Sequence, residues 1–279
     1  MSLRATSRFA ALSPRRRALV AGSILIAVAL LIIGGIRVAQ RMGGTAKRHA
    51  GSGPPAVVLV PGYGGNTRSL DLLEDRIRRT GATATIVPLP SGGTGDLEVQ
   101  ADVLNGYVDR AIQRGARWVD VIGYSAGGVV ARVWDVEHDG ASKARRIVTL
   151  GSPLHGAELA AAGAAVDPAA CPPACQQLVP GSSLLTRLER VPFAGRPAWL
   201  SLWTVDDVVV QPPDSARLSG AMNVPLQSVC PDAIIQHGQL PSDPLVVGIV
   251  LRALGPAPLT APRASQCTSL RALGSTSAQ

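Results

Sequence analysis

Aromatic side chains are scarce in this chain of 279 residues, at 3%. Its core must therefore be built from Val, Leu, Ala and Ile rather than from packed rings. Acidic residues are missing from the first fifty positions, which hold nine basic ones: Arg4, Arg8, Arg15, Arg16, Arg17, Arg37, Arg41, Lys47 and Arg48. The formal net charge of +8 is thus local. The remaining body holds 18 basic residues against 19 acidic ones and is near neutral. That body has no Lys/Arg stripe and no nucleic-acid module, which argues against a nucleic-acid partner. It also lacks internal repeats. What is abundant is apolar sequence, at 46%, which separates the chain from disordered polypeptides and suffices for one fair-sized core or two small ones.

The longest uncharged run is "ALVAGSILIAVALLIIGGI", the 19 residues from Ala18 to Ile36. As a helix it spans about 28 Å, close to the hydrocarbon thickness of a bilayer. Arg15, Arg16 and Arg17 abut its N-terminal edge, and no small-x-small cleavage site follows it in "IRVAQRMGG". Residues 1–17 are therefore expected to be a cytoplasmic basic tail and 18–36 a transmembrane signal anchor, with 37–54 a linker. The body then lies outside the membrane. The alternative is a cleaved signal peptide and a secreted body.

Four cysteines, Cys171, Cys175, Cys230 and Cys267, suit disulfides in an exported chain. Sequence proximity suggests Cys171–Cys175 and Cys230–Cys267, although the sequence does not choose among the three pairings. A structural zinc site lacks a second close Cys or His pair, and no metal is expected.

The body alternates two periodicities. "AVVLV" (Ala56–Val60) is a continuous apolar run, as in a strand buried on both faces of a parallel sheet. Further strands are expected at Thr83–Val87, Trp118–Ile122, Ile147–Leu150, Ala198–Trp203 and Val224–Val229. Helices are expected at Ser69–Thr80, after the cap Asp96, from Ser125 to about His138, and at Asp243–Leu254. This pattern predicts an α/β domain over 55–255, with a mostly parallel six-stranded sheet and helices on both faces, preceded by the N-terminal transmembrane helix. Residues 154–197 break the rhythm and read as an insertion over the active-site edge. Residues 256–279 read as a polar, Pro-rich C-terminal tail.

Between the third strand and its helix stands "VIGYSAGG" (Val121–Gly128). A serine hydroxyl is a weak nucleophile. It needs a base, a group to orient that base, and donors for the oxyanion that forms. Gly123-Tyr124-Ser125-Ala126-Gly127 fits G-x-S-x-G on a strand–turn–helix, so Ser125 is the candidate nucleophile. The N–H of Ala126 and, from the Gly-rich loop after the first strand, that of Tyr63 are the candidate oxyanion donors. A phosphate loop would require a Gly-Lys-Ser/Thr ending, which is absent. Of the four histidines, His49 lies in the linker, His138 at a helix end, and His155 before every good acid. His237 follows the last strand and is the candidate base. Asp206 and Asp207 follow the fifth strand, with Asp214 further on, and either of the first two is placed to orient His237.

These segments, "VVLVPGYGG", "VIGYSAGGVVAR", "IVTLGSPLHG", "CPPACQQLVPGSSLL", "LWTVDDVVVQPPDSARL" and "IIQHG", resemble the α/β-hydrolase fold, and within it the small bacterial extracellular lipases and esterases. The resemblance covers most of 56–250. It implies Ser125 as nucleophile, His237 as base and Asp207 rather than Asp206 as acid, since the acid of the family precedes a Val-Val pair. Tyr63 and Ala126 map to the oxyanion donors. Pro61 departs from the His that many relatives carry at that place. The resemblance further implies hydrolysis of carboxylic esters, lipid or acylglycerol esters among them, through an acyl-enzyme without metal or cofactor. Leu178, Val179, Leu184 and Leu185 of the insertion are candidate lining for an acyl group. The rival readings are acyl transfer to an alcohol by the same residues, and a membrane-anchored binding domain without catalysis.

Overall fold

The structure is a computed structural model and describes residues 51–193 and 195–275. The expected transmembrane segment, the basic tail, most of the linker and His49 lie outside the described residues. Among the described residues no helix is long and apolar enough to cross a membrane.

Six strands form one sheet: β1 (Ala56–Val60), β2 (Thr83–Ile86), β3 (Val119–Tyr124), β4 (Ala144–Leu150), β5 (Ala198–Trp203) and β6 (Met222–Pro225). Their order is β2-β1-β3-β4-β5-β6 and every pairing is parallel. The continuous apolar strands follow from this. A parallel strand covered on both faces buries successive side chains on opposite sides. In β1, Ala56, Val58 and Val60 enter one core, while Val57 and Leu59 enter the other.

The first core lies under α2 (Leu97–Gln113) and α3 (Ala126–Glu137); the second lies under α1 (Asp71–Arg78) and α8 (Pro244–Leu254). Between them in the chain come a single turn α4 (Gly140–Lys143) and three short helices of the insertion, α5 (Glu158–Val166), α6 (Pro173–Gln177) and α7 (Ser183–Glu189). Asp96 caps α2 by accepting from the Glu98 N–H at 2.7 Å, and Asp243 caps α8 through the Leu245 N–H at 2.8 Å.

Two sequence expectations are corrected. The last strand ends at Pro225 rather than Val229: Leu226–Ser228 form a 3₁₀ turn, because proline offers no N–H to continue a ladder. The segment expected to be a tail contains the helix α9 (Cys267–Ser275), which buries Leu270. It packs on α8 backbone to backbone. A Cβ on Gly248 would meet the Leu270 carbonyl oxygen at 1.9 Å, and one on Gly274 would meet that of Pro244 at 1.7 Å. Only glycine permits that approach. The disulfide Cys230–Cys267 ties the start of α9 to the end of the sheet, and Cys171–Cys175 closes one turn of the insertion. Both pairs join sequence neighbours, and the first takes up both thiolates of the Cys230–Asp232–Cys267 cluster.

Candidate active site

The strand order reverses at β1, since β2 and β3 lie on opposite sides of it. The carboxyl ends of parallel strands at such a point form a crevice. Ser125 sits there, as the single residue between β3 and α3. Its backbone has φ 54° and ψ −128°, a left-handed value that costs a non-glycine residue about 1–3 kcal/mol. The surroundings hold it there: Ser125 N–H donates to Leu150 O at 2.8 Å, and its carbonyl accepts from Gly128 N–H at 3.0 Å. The flanking glycines are required by space. A Cβ on Gly123 would lie 2.4 Å from Gly128 Cα, and one on Gly127 would lie 2.3 Å from Val60 O.

Three side chains from three strand ends meet at this turn. Asp207, from the loop after β5, places Oδ2 2.6 Å from His237 Nδ1. His237, from the loop after β6, places Nε2 3.0 Å from Ser125 Oγ. With the Nδ1 proton held by the carboxylate, Nε2 is free to accept the serine hydroxyl proton. Asp207 and His237 are both buried. The second carboxylate oxygen of Asp207 accepts from the Val209 and Val210 N–H groups at 2.9 and 2.8 Å, which fixes the carboxylate plane. The Tyr124 hydroxyl donates to the His237 carbonyl at 3.2 Å, and the two rings lie 5.3 Å apart. Burial, with a contribution from the Asp207 charge, pushes the Tyr124 phenol up to about 12, so it remains a neutral donor.

Asp206 turns away. Its Oδ2 accepts from Gln227 Nε2 at 3.2 Å and Ile235 N–H at 3.4 Å. His155 lies elsewhere, between Glu189 Oε1 at 2.8 Å and Arg217 O at 2.9 Å. His138 pairs with Asp102 at 3.0 Å. Asp214 lies in a 3₁₀ turn, where its carbonyl accepts from Arg217 N–H.

Beside Ser125 opens a cavity of about 220 Å³. Tyr63 and Ala126, from the ends of β1 and β3, line it together with Ser125. Among the described residues no backbone acceptor takes the N–H of either. Ala126 is also the first residue of α3, where the helix dipole favours negative charge. The far wall is apolar: Pro153, Leu159, Ala160, Leu178, Val209 and Val210. Of the four lining candidates from the insertion, only Leu178 reaches this cavity, while Leu184 and Leu185 are buried in the first core. Sequence reasoning missed Val209 and Val210 as lining, whose signal was available as the valine run 208–210 after Asp207. It also missed Tyr124, whose partner lies 113 residues away. The loops that carry Asp207 and His237 each expose an apolar side chain, Val208 at 73% and Ile234 at 82%.

No family sequence profile matches the chain, and no curated protein matches it by sequence. Solved structures do match in fold. The mature lipase BlEst2 of Bacillus licheniformis is 18% identical with a TM-score of 0.60, over 75% of this chain and 95% of that one. Lipase B of Aspergillus fumigatus is 17% identical with a TM-score of 0.59, over 76% of this chain but only 53% of the fungal one. A metagenome-derived lipolytic enzyme from the work on LipS and LipT is 17% identical with a TM-score of 0.55, over 75% and 97%. The likeness is one of fold, and the fold is that of the α/β-hydrolases.

Proposed function

We propose that this chain of α/β-hydrolase fold hydrolyses carboxylic esters through a covalent acyl-serine. The observation that carries the reading is the run of hydrogen bonds Asp207–His237–Ser125, ending on a strained serine at the mouth of an apolar cavity. His237 Nε2 takes the Ser125 proton as Oγ attacks the ester carbonyl carbon. The imidazolium that forms is held by Asp207. The carbonyl oxygen becomes an oxyanion and lies against the N–H groups of Tyr63 and Ala126. As the tetrahedral intermediate collapses, His237 returns the proton to the departing alcohol. Water then repeats the sequence on the acyl-serine, with His237 again taking and returning the proton, and the acid is released.

The apolar wall favours an acyl group over a charged one. That supports lipid or acylglycerol esters as the substrate class, as do the words lipase and lipolytic in the names of the matching structures. The two disulfides fit an oxidising compartment, and the run Ala18–Ile36 supports a membrane anchor with the body on the outer side.

The test is release of p-nitrophenol from acyl esters of graded chain length by the full-length chain, beside Ser125→Ala, with labelling by a fluorophosphonate probe. Turnover and labelling that both vanish in the variant support the reading. Equal turnover in the variant overturns it.

A further inference from the structure

A second and larger cavity, of about 430 Å³, lies across a shared wall from the first. The wall is the segment 153–157. Pro153 and Ala157 line the Ser125 cavity, whereas Leu154 and His155 line the second. Its volume falls within the range usual for small-molecule sites. Phe193, Val191, Pro192 and Leu218 supply apolar surface. Arg132, only 4% exposed, is the buried charge that lines it.

The guanidinium of Arg132 is incompletely bonded. Nη1 donates to Asp135 Oδ2 at 3.0 Å, but Nη2 reaches the Leu188 and Val191 carbonyls only at 3.4 Å each, beyond the usual length for N–H···O. Its charge is also shared. Arg196 approaches the other oxygen of the same carboxylate at 3.7 Å, so two buried or nearly buried cations face one anion. The Phe193 and Trp199 rings, at 5.7 and 6.0 Å, offer the guanidinium π faces near the outer limit of cation–π attraction, but no hydrogen-bond acceptors. Glu189 is the one acidic residue lining the cavity, and it is engaged by His155 at 2.8 Å. Arg190 adds a further cation at the rim.

A buried, under-bonded guanidinium calls for a planar acceptor with two oxygens, and the apolar walls call for a hydrocarbon body. We propose that this cavity is a binding site, separate from Ser125, for a small carboxylate bearing an apolar group. The carboxylate meets Arg132 and the apolar group lies against Phe193 and Leu218. The inference stands on the cavity and its charges, and does not depend on the ester-hydrolase reading.

The experiment is calorimetric titration of the full-length chain in lipid nanodiscs, with empty nanodiscs subtracted. The probe is 4-tert-butylbenzoate, compared with the neutral 4-tert-butylbenzamide and with acetate. Binding of one benzoate per chain is expected, with both comparison compounds weaker by at least about tenfold, since a charge-assisted hydrogen bond contributes on that scale. Ser219→Trp, at an exposed rim position, fills the second cavity and abolishes binding, whereas Ala160→Trp fills the first and leaves it unchanged. Arg132→Gln weakens binding by at least about tenfold. If that variant does not fold, the amide comparison and Ser219→Trp decide. Absence of benzoate binding, equal binding of the amide, or binding that is lost in Ala160→Trp and kept in Ser219→Trp overturns the proposal.

Discussion

Asp206 and Asp207 are neighbours in the chain, yet their carboxylates serve different partners. Asp207 Oδ2 lies 2.6 Å from His237 Nδ1, while Asp206 Oδ2 accepts from Gln227 and the Ile235 N–H. The Asp206 carboxylate therefore braces the loop that delivers His237, and the Asp207 carboxylate orients the imidazole itself. Asp207→Asn is expected to lower kcat for ester hydrolysis by on the order of 10⁴-fold, as when a buried orienting carboxylate becomes an amide that favours the wrong tautomer. Asp206→Asn keeps an acceptor oxygen and is expected to change kcat by only a few fold. Steady-state kinetics of the two variants side by side check this, and equal losses refute the assignment.

Ser125→Ala removes the proposed nucleophile but not the backbone strain, since alanine meets the same strain at φ 54°. Turnover should fall by on the order of 10⁵-fold or more, with the thermal midpoint nearly unchanged. A midpoint that drops by many degrees would mean that the hydroxyl is structural.

Gly123→Ala places a methyl group 2.4 Å from Gly128 Cα. β3 and α3 must separate to admit it, and neither is a flexible side chain. A loss of about 1–3 kcal/mol or more is expected, as for overpacked cores, and activity falls with it because the Ser125 turn shifts. Chemical denaturation and ester turnover measured together test both halves.

Tyr124 sets an alkaline limit on stability. Its phenol rises from 10.0 to about 12 on folding. The folded state therefore retains the proton that the unfolded chain releases near pH 10. The associated stability is complete below pH 10 and is lost progressively as the pH climbs from 10 to 12. Tyr124→Phe removes that slope while giving up the hydrogen bond to the His237 carbonyl, at about 1 kcal/mol. Denaturation at pH 9 and pH 11 should show a steeper decline for the wild type than for Tyr124→Phe. Parallel declines contradict the assignment.

The disulfide Cys230–Cys267 spans 37 residues and ties the start of α9 to the segment after β6. Replacing both cysteines with serine should cost about 4 kcal/mol in the chain-entropy account, seen as a lowered thermal midpoint. An unchanged midpoint would show that the Gly248–Gly274 packing alone holds the helix.

Much of this architecture is legible in the sequence, because it depends on contacts between near neighbours. The uninterrupted apolar run of β1, the 3.6-residue spacing of α2 after its Asp96 cap, and the glycines on either side of Ser125 each state a local requirement that holds wherever the segment lies. The order of serine, aspartate and histidine, each after a strand, follows from the same reading. Other features depend on what distant segments do when they meet. The choice of Asp207 over Asp206 from the residues themselves required knowing which carboxylate faces a loop 30 residues later. α9 was hidden because its apolar signal is slight, and a glycine-on-glycine approach to α8 supplies its packing. Arg132 reads in sequence as an ordinary helix cation, since nothing near it in the chain reveals that Phe193, Trp199 and the carbonyls of Leu188 and Val191 will surround it. The sequence determined by itself the sheet, the four helices α1, α2, α3 and α8 that cover it, and the serine turn, through periodicity and steric exclusion over a few residues. Only the tertiary structure decided the partners of the charges and the shapes of the two cavities. Those depend on burial and distance between groups that the chain separates by tens of residues.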